Sequence, residues 1–254
     1  MSQAFATTNA HKAKQSTMKT NTFYLDKAVG LKITLYFTLA FSISWLLHLL
    51  PNLLPLPGVK WLLTIGFGPF LSAILVSYWY KTPLKLKLFS KITWVRKIEF
   101  IGLGLFFIGT IITNILLGKT NYYLIIFWTF YALFYALLEE LGWRVFLGNE
   151  LNRYSFLTIV LTTAVLWFTW HYSFNARLII ANPVQFLGMI AVGSAGLAEF
   201  YRKTRSWLIV ALAHAIVNAN VPNMPTLIVF LAVVIGLLKF HEAKNKQENV
   251  TSQP

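Results

Sequence analysis

Apolar residues along this chain gather into runs of about 17–25, the length an α-helix needs to cross the hydrocarbon of a bilayer. Polar and basic residues collect between the runs. The pattern predicts eight spans, over 31–50, 61–80, 98–117, 122–143, 155–174, 183–201, 206–220 and 222–239. The expected fold class is therefore all-α, a polytopic membrane helical bundle of about eight transmembrane helices. Residues 1–30 read as a polar N-terminal tail and 241–254 as a polar C-terminal tail, with one integral membrane domain over 31–240 between them. Pro51, Pro55, Pro57 and Gly58 are expected to break the chain after the first span. Gly66, Gly68 and Pro69 fall within the second, where small residues permit close helix contact or a kink. Residues 81–97 alternate Lys and Leu (Lys85, Leu86, Lys87, Leu88) and read as a basic loop at the membrane surface, a depth that suits Trp94.

Composition agrees with the bilayer as solvent: 57% of the 254 residues are apolar and only 12% are charged. There is no cysteine, which excludes disulfides and thiolate chemistry. The first 30 residues lack the short apolar core and small-residue site of a cleaved signal peptide. The net charge of +14 would suit nucleic acid if it formed one basic patch. It does not. The N-terminal tail with its first helix residues, three alternate loops and the C-terminal end hold 19 of the 22 Lys and Arg residues, and the opposite side keeps only Lys60, Lys119 and Arg177. That asymmetry is the positive-inside pattern, so nucleic acid is not an expected partner and both termini are expected in the cytoplasm. The plasma membrane is the expected location, with anionic headgroups against the basic loops.

A charged side chain within a spanning helix costs roughly 2.5–3.5 kcal/mol on insertion scales, so each one asks for a reason. Of the eight acidic residues, Asp26, Glu242 and Glu248 are in tails, Glu99 begins the third span, and Glu150 lies toward a turn. Glu199 has Arg202 and Lys203 beside it for a local ion pair. Glu139 and Glu140 remain, adjacent and within a span. Neighbours on a helix point about 100° apart, so these two carboxylates face different surroundings. Arg144 follows Glu140 by four residues, the favourable spacing for an intrahelical pair. Glu139 is left without a local partner, as a catalytic carboxylate would be. The bland alternative makes both glutamates members of one helix-end charge network.

Histidines narrow the choice further. His11 and His241 lie in the tails, and His48 has no polar neighbour at helical spacing, which suits an interfacial residue. His171 follows Trp167 by one turn, an arrangement that suits core packing as well as a site. His214 and Asn218 share one helix face at i, i+4. They suit an interhelical hydrogen-bond pair or an oxyanion-binding face. Depth decides whether these groups meet. A fourth helix ending near Arg144 would separate Glu139 and His171 to opposite membrane faces. A helix continuing to about Asn152 and returning near Arg153 would set Glu139 level with about residue 167. His214 and Asn218 then lie roughly 12–18 Å into the seventh span, at a rise of about 1.5 Å per residue.

Glu139-Glu140-Leu141-Gly142-Trp143-Arg144 resembles the EExxxR motif of the CAAX-protease and bacteriocin-processing (CPBP) family of intramembrane endopeptidases. Trp167 to His171 resembles its FxxxH motif, with Trp in place of the usual Phe, and His214 to Asn218 its HxxxN motif. The three occur in family order over a motif core of residues 122–220, and the eight-helix layout is similar to that of Ras-converting-type CAAX endopeptidases. The resemblance implies Glu139 as general base on water, His171 positioning that water, and His214 with Asn218 stabilising the oxyanion. Glu140, Arg144 and Trp167 would support the site. It implies a membrane-associated protein or peptide substrate and leaves the oligomeric state open. It also brings a zinc alternative, since Glu and two His can ligate that ion. The absence of an HExxH pair and the poor ligand Asn218 favour a mechanism with no metal or other cofactor. Two rivals stay open: a non-enzymatic membrane protein of the same fold acting in bacteriocin immunity or resistance, and a small transporter using Glu and His as a proton relay.

Overall fold

The computed structural model describes residues 25–53 and 66–218, with residues 235, 236 and 239. Pro55, Pro57, Gly58, Lys60, most of the expected span 222–239 and nearly all of both tails, His11 and His241 included, lie outside the described residues. Among the described residues the regular structure is entirely helical: α1 (Lys27–Leu53), α2 (Phe67–Trp79), α3 (Thr93–Leu116), α4 (Tyr122–Glu140), a π-helix (Leu141–Phe146), α5 (Leu147–Glu150), α6 (Phe156–Ala181), α7 (Pro183–Thr204) and α8 (Trp207–Asn218).

Five helical runs are long and apolar enough to cross a membrane: Lys27–Leu49, Thr93–Leu116, Tyr122–Glu150, Phe156–Arg177 and Pro183–Thr204. Helices α2 and α8 are apolar but shorter. Ile108, Phe130, Val165 and Val192 point outward, as side chains facing lipid do, and Tyr78, Trp79, Tyr122 and Tyr123 are exposed at helix ends. The fold class is the helical bundle read from the sequence, while several boundaries differ. Helix α1 starts at Lys27 and runs past Pro51 to Leu53. Helix α3 starts at Thr93, five residues earlier than the apolar run suggests. Gly66 caps the start of α2 in the left-handed region (φ 80°), so Gly66, Gly68 and Pro69 open that helix instead of kinking its middle.

The fourth span extends well past its expected end at residue 143. Asn121 starts it by accepting a hydrogen bond from the Leu124 amide at 3.1 Å. The run continues through the π-helix and α5 to Glu150, then turns back over 151–154. Ser155 starts α6 by accepting from the Thr158 amide at 3.1 Å, and Ser206 starts α8 by accepting from the Ile209 amide at 3.1 Å. Helix α1 packs on α2 and α6, α6 on α7, and α4 on α8. Tyr36, Trp143, Leu147, Trp170, Ile209 and Leu212 fill the centre.

The basic segment after α2 does not lie free at the surface. Lys87 and Leu88 carbonyls accept from the Trp207 and Leu208 amides at 3.3 and 3.1 Å. Ser90 Oγ donates to the Thr204 carbonyl at 3.1 Å, and the Ser90 amide donates to Glu99 Oε1 at 2.7 Å. Glu99 is fully buried, so a carboxylate that the sequence places only at a span's start is the anchor of this segment.

Candidate active site

Glu139 and Glu140 close α4, and both are fully buried. The six residues after them form a π-helix, in which the Leu147 amide reaches back five residues to the Gly142 carbonyl. One extra residue per turn widens the helix locally and re-aims the side chains beyond it, a device found often at functional sites. Gly142 is required at the point where α1 and α2 press closest. A Cβ there would sit 2.5 Å from Tyr36 Oη and 2.6 Å from Pro69 Cβ.

The two carboxylates have different partners, as their angular offset requires. Arg144 Nη1 donates to Glu140 Oε1 at 3.0 Å, forming the expected i, i+4 pair almost fully buried. His214 Nδ1 meets the same oxygen at 2.7 Å. A carboxylate only accepts, so Nδ1 carries the proton and donates. Glu139 Oε2 instead accepts from the indole Nε1 of Trp167 at 3.0 Å, and Glu139 Oε1 has no partner among the described residues. The return of the chain near Arg153 thus brings Glu139 level with Trp167, the alignment a shared site needs.

His171 is half-buried, with its ring centroid 5.0 Å from Trp170, 5.1 Å from Phe186, 5.3 Å from Phe174 and 5.8 Å from Trp167. Its Nδ1 lies 2.7 Å from the Trp167 carbonyl oxygen. A carbonyl cannot donate, so Nδ1 again holds the proton, and the neutral ring presents a lone pair at Nε2. The Trp167 ring stands edge-on to His214 at 5.3 Å, and the Arg144 guanidinium lies over it at 4.6 Å. Glu139, Arg144, His171 and His214 therefore all touch Trp167, and Glu140 joins them through Arg144 and His214. Asn218 ends α8, half-buried, and makes no hydrogen bond with another described residue.

Several polar atoms at this centre are buried and unpartnered: Tyr36 Oη, Trp143 Nε1, Glu140 Oε2, and Nε and Nη2 of Arg144. Buried polar groups are almost always satisfied, so these atoms are the ones to which a water or a polar ligand would bond. Among the described residues no group of three or more His, Asp or Glu side chains is placed to hold a metal ion. Both histidines bond through Nδ1, which leaves Nε2 of each ring for a further partner.

Sequence reasoning did not reach the His214–Glu140 bond, the Trp167–Glu139 bond or Tyr36. The one available signal was Trp167 itself, an aromatic with a donor where the motif expects none.

Residues 120–220 match the family model described as type II CAAX prenyl endopeptidase Rce1-like. That is the resemblance the motifs carry. The matched interval holds Glu139, Glu140, Arg144, Trp167, His171, His214 and Asn218. The Rce1-like match supports CAAX-type intramembrane protease activity in general terms, and with the five long apolar helices it supports an integral membrane protein. No curated protein and no solved structure matches the chain.

Proposed function

We propose that this protein is an intramembrane endopeptidase that cleaves membrane-associated proteins or peptides with Glu139 as general base. The observation that carries the reading is the state of Glu139: buried, held at Oε2 by an indole N–H, and without a hydrogen-bond partner at Oε1 among the described residues. Oε1 takes a proton from water as the water oxygen bonds to the scissile carbonyl carbon. The His171 Nε2 lone pair accepts the second water hydrogen and aims the nucleophile. The carbonyl oxygen becomes an oxyanion beside His214 and Asn218. Donation from His214 Nε2 requires the ring to carry both protons, with Nδ1–H kept on Glu140. Collapse of the tetrahedral species breaks the C–N bond, and the amine leaves with the proton held by Glu139. Mechanisms of this kind draw roughly 10²–10⁴-fold from the acid–base step alone.

The test compares membrane proteomes carrying the parent protein and Glu139→Gln. Fragments produced by the parent and absent with the variant, at equal abundance of the two proteins, are expected, and activity on the substrate found this way should survive exhaustive chelation. Full cleavage by Glu139→Gln would remove the residue as base. Loss on chelation with recovery on stoichiometric zinc would replace the mechanism by a metal one.

The charge split between loops supports both termini in the cytoplasm, and the plasma membrane is the location we propose. Reporter fusions at residue 254 and in the 118–121 loop should report opposite sides, and a shared side would overturn this orientation.

A further inference from the structure

Trp167 is almost completely buried and reaches each charged partner by a different means. Its indole N–H bonds to Glu139, its face lies against Arg144, its edge meets His214, and its carbonyl holds His171. The ring is seated by Gly193 on α7, where an added Cβ would come within 3.4 Å of Trp167 Cζ3. An indole packed on both sides cannot swing, so its N–H points in a fixed direction.

That direction decides what Glu139 does. A competing attraction is Arg144, whose guanidinium lies over the same ring at 4.6 Å and whose Nε and Nη2 are buried without partners. An unrestrained carboxylate would turn to this cation and form a second ion pair. Both of its oxygens would then be engaged, and neither would remain to take a proton from water. We propose that the Trp167 indole N–H is the positioning group of the general base, holding the Glu139 carboxylate off Arg144 so that Oε1 alone faces the water. The inference rests on the endopeptidase reading, and it separates two properties of one side chain. The ring packs the histidines; the N–H orients the base. A phenyl ring would keep the first and lose the second.

Two measurements on the full-length protein in detergent test it. The chain has nine tryptophans, so ¹⁵N-indole labelling gives a small set of side-chain resonances, and Trp167→Phe identifies the relevant one by its loss. In Glu139→Ala that resonance should move upfield and lose protection from solvent exchange. In the cleavage assay Trp167→Phe should lower kcat roughly 10–100-fold, as expected for a misaligned reacting group, with KM within about twofold of the parent. Benzothienylalanine at position 167 keeps the indole shape with sulfur in place of N–H. It should reproduce the kcat loss at the parent melting temperature, which removes misfolding as the cause. A resonance indifferent to Glu139→Ala overturns the inference, as does parental kcat in the benzothienyl protein. A parent protein with no cleavage activity overturns the endopeptidase reading and this inference with it; an active parent with an unmoved resonance overturns this inference alone.

Discussion

Two regions of the bundle bury a carboxylate completely, and they do so on opposite terms. At the start of α3, Glu99 accepts from the backbone amide of Ser90, and the Ser90 hydroxyl continues the connection to Thr204. The carboxylate there behaves as a fixed acceptor that ties a basic segment to the α7–α8 junction. At the end of α4, Glu140 meets two side chains that carry or can take up charge, a guanidinium and an imidazole, and Glu139 beside it meets an indole N–H. Burial alone therefore says little about function. Glu99 and Glu139 each keep one buried oxygen without a partner, so what distinguishes the regions is the groups bonded to the carboxylates: a backbone amide at Glu99, and charged or titratable side chains at Glu140 beside Glu139. The π-helix lies beside the second region, where a widened turn gives the space that a regular helix would close.

The largest expected effect sets the two regions directly against each other. Glu139→Gln and Glu99→Gln make the same chemical change in two fully buried carboxylates, and both amides keep an oxygen that accepts a hydrogen bond. Cleavage by Glu139→Gln should fall by at least about 10²-fold, the lower range of acid–base contributions. Glu99→Gln should retain parental turnover per folded molecule, since its oxygen still accepts from Ser90. Equal losses in the two variants would show that burial itself, and not the neighbours, is what matters.

The next effect sharpens the division within the second region. Glu140 is held by Arg144 and His214 together, so Glu140→Gln leaves a buried guanidinium with its charge uncompensated. The cost in stability should be about 1–3 kcal/mol, well above that of Glu139→Gln. Adding Arg144→Gln should be less harmful than the two single losses together, because neither charge is then left alone. Melting temperatures of the parent, the three single variants and the double variant in one detergent decide this, and strict additivity would break the pairing argument.

The sequence carried the different partners of the two glutamates because a 100° offset and an i, i+4 arginine are local facts. It carried the hairpin return near Arg153 as a condition for the site, and the Glu139–Trp167 bond meets that condition. The π-helix was not legible, because hydrophobic periodicity does not separate a single wide turn from the α-helix around it. His214 joining Glu140 joins residues 74 apart, and no spacing rule reaches across that distance. Glu99 stands near the start of its span as the sequence places it, while its role as an anchor is recognisable only once Ser90 and Thr204 meet.

A smaller effect belongs to the first region. Glu99→Leu removes the acceptor and leaves the Ser90 amide buried without its bond, which should cost about 1–3 kcal/mol. Turnover per folded molecule should stay close to parental, because the segment is anchored also through Trp207 and Leu208. A fall in kcat larger than the fall in folded protein would instead make this latch part of the site.

The smallest expected effect concerns histidine. His48 and His171 are both solitary histidines in spanning helices, and sequence spacing gives neither a polar partner on its own turn. Their surroundings differ in the structure. His171 has four aromatic rings around it and a carbonyl fixing its tautomer, whereas His48 is exposed near the end of α1 and makes no hydrogen bond with another described residue. Removing an exposed, unpaired side chain rarely changes stability by more than about 0.5 kcal/mol. For a chain of this size that is a melting shift of roughly 1–2 °C. His48→Ala should therefore match the parent in both melting temperature and turnover, while His171→Ala loses turnover because the water is no longer aimed. If His48→Ala instead lost activity at unchanged stability, the exposed end of α1 would belong to the substrate path, and the contrast between solitary histidines would have to be redrawn around access instead of burial.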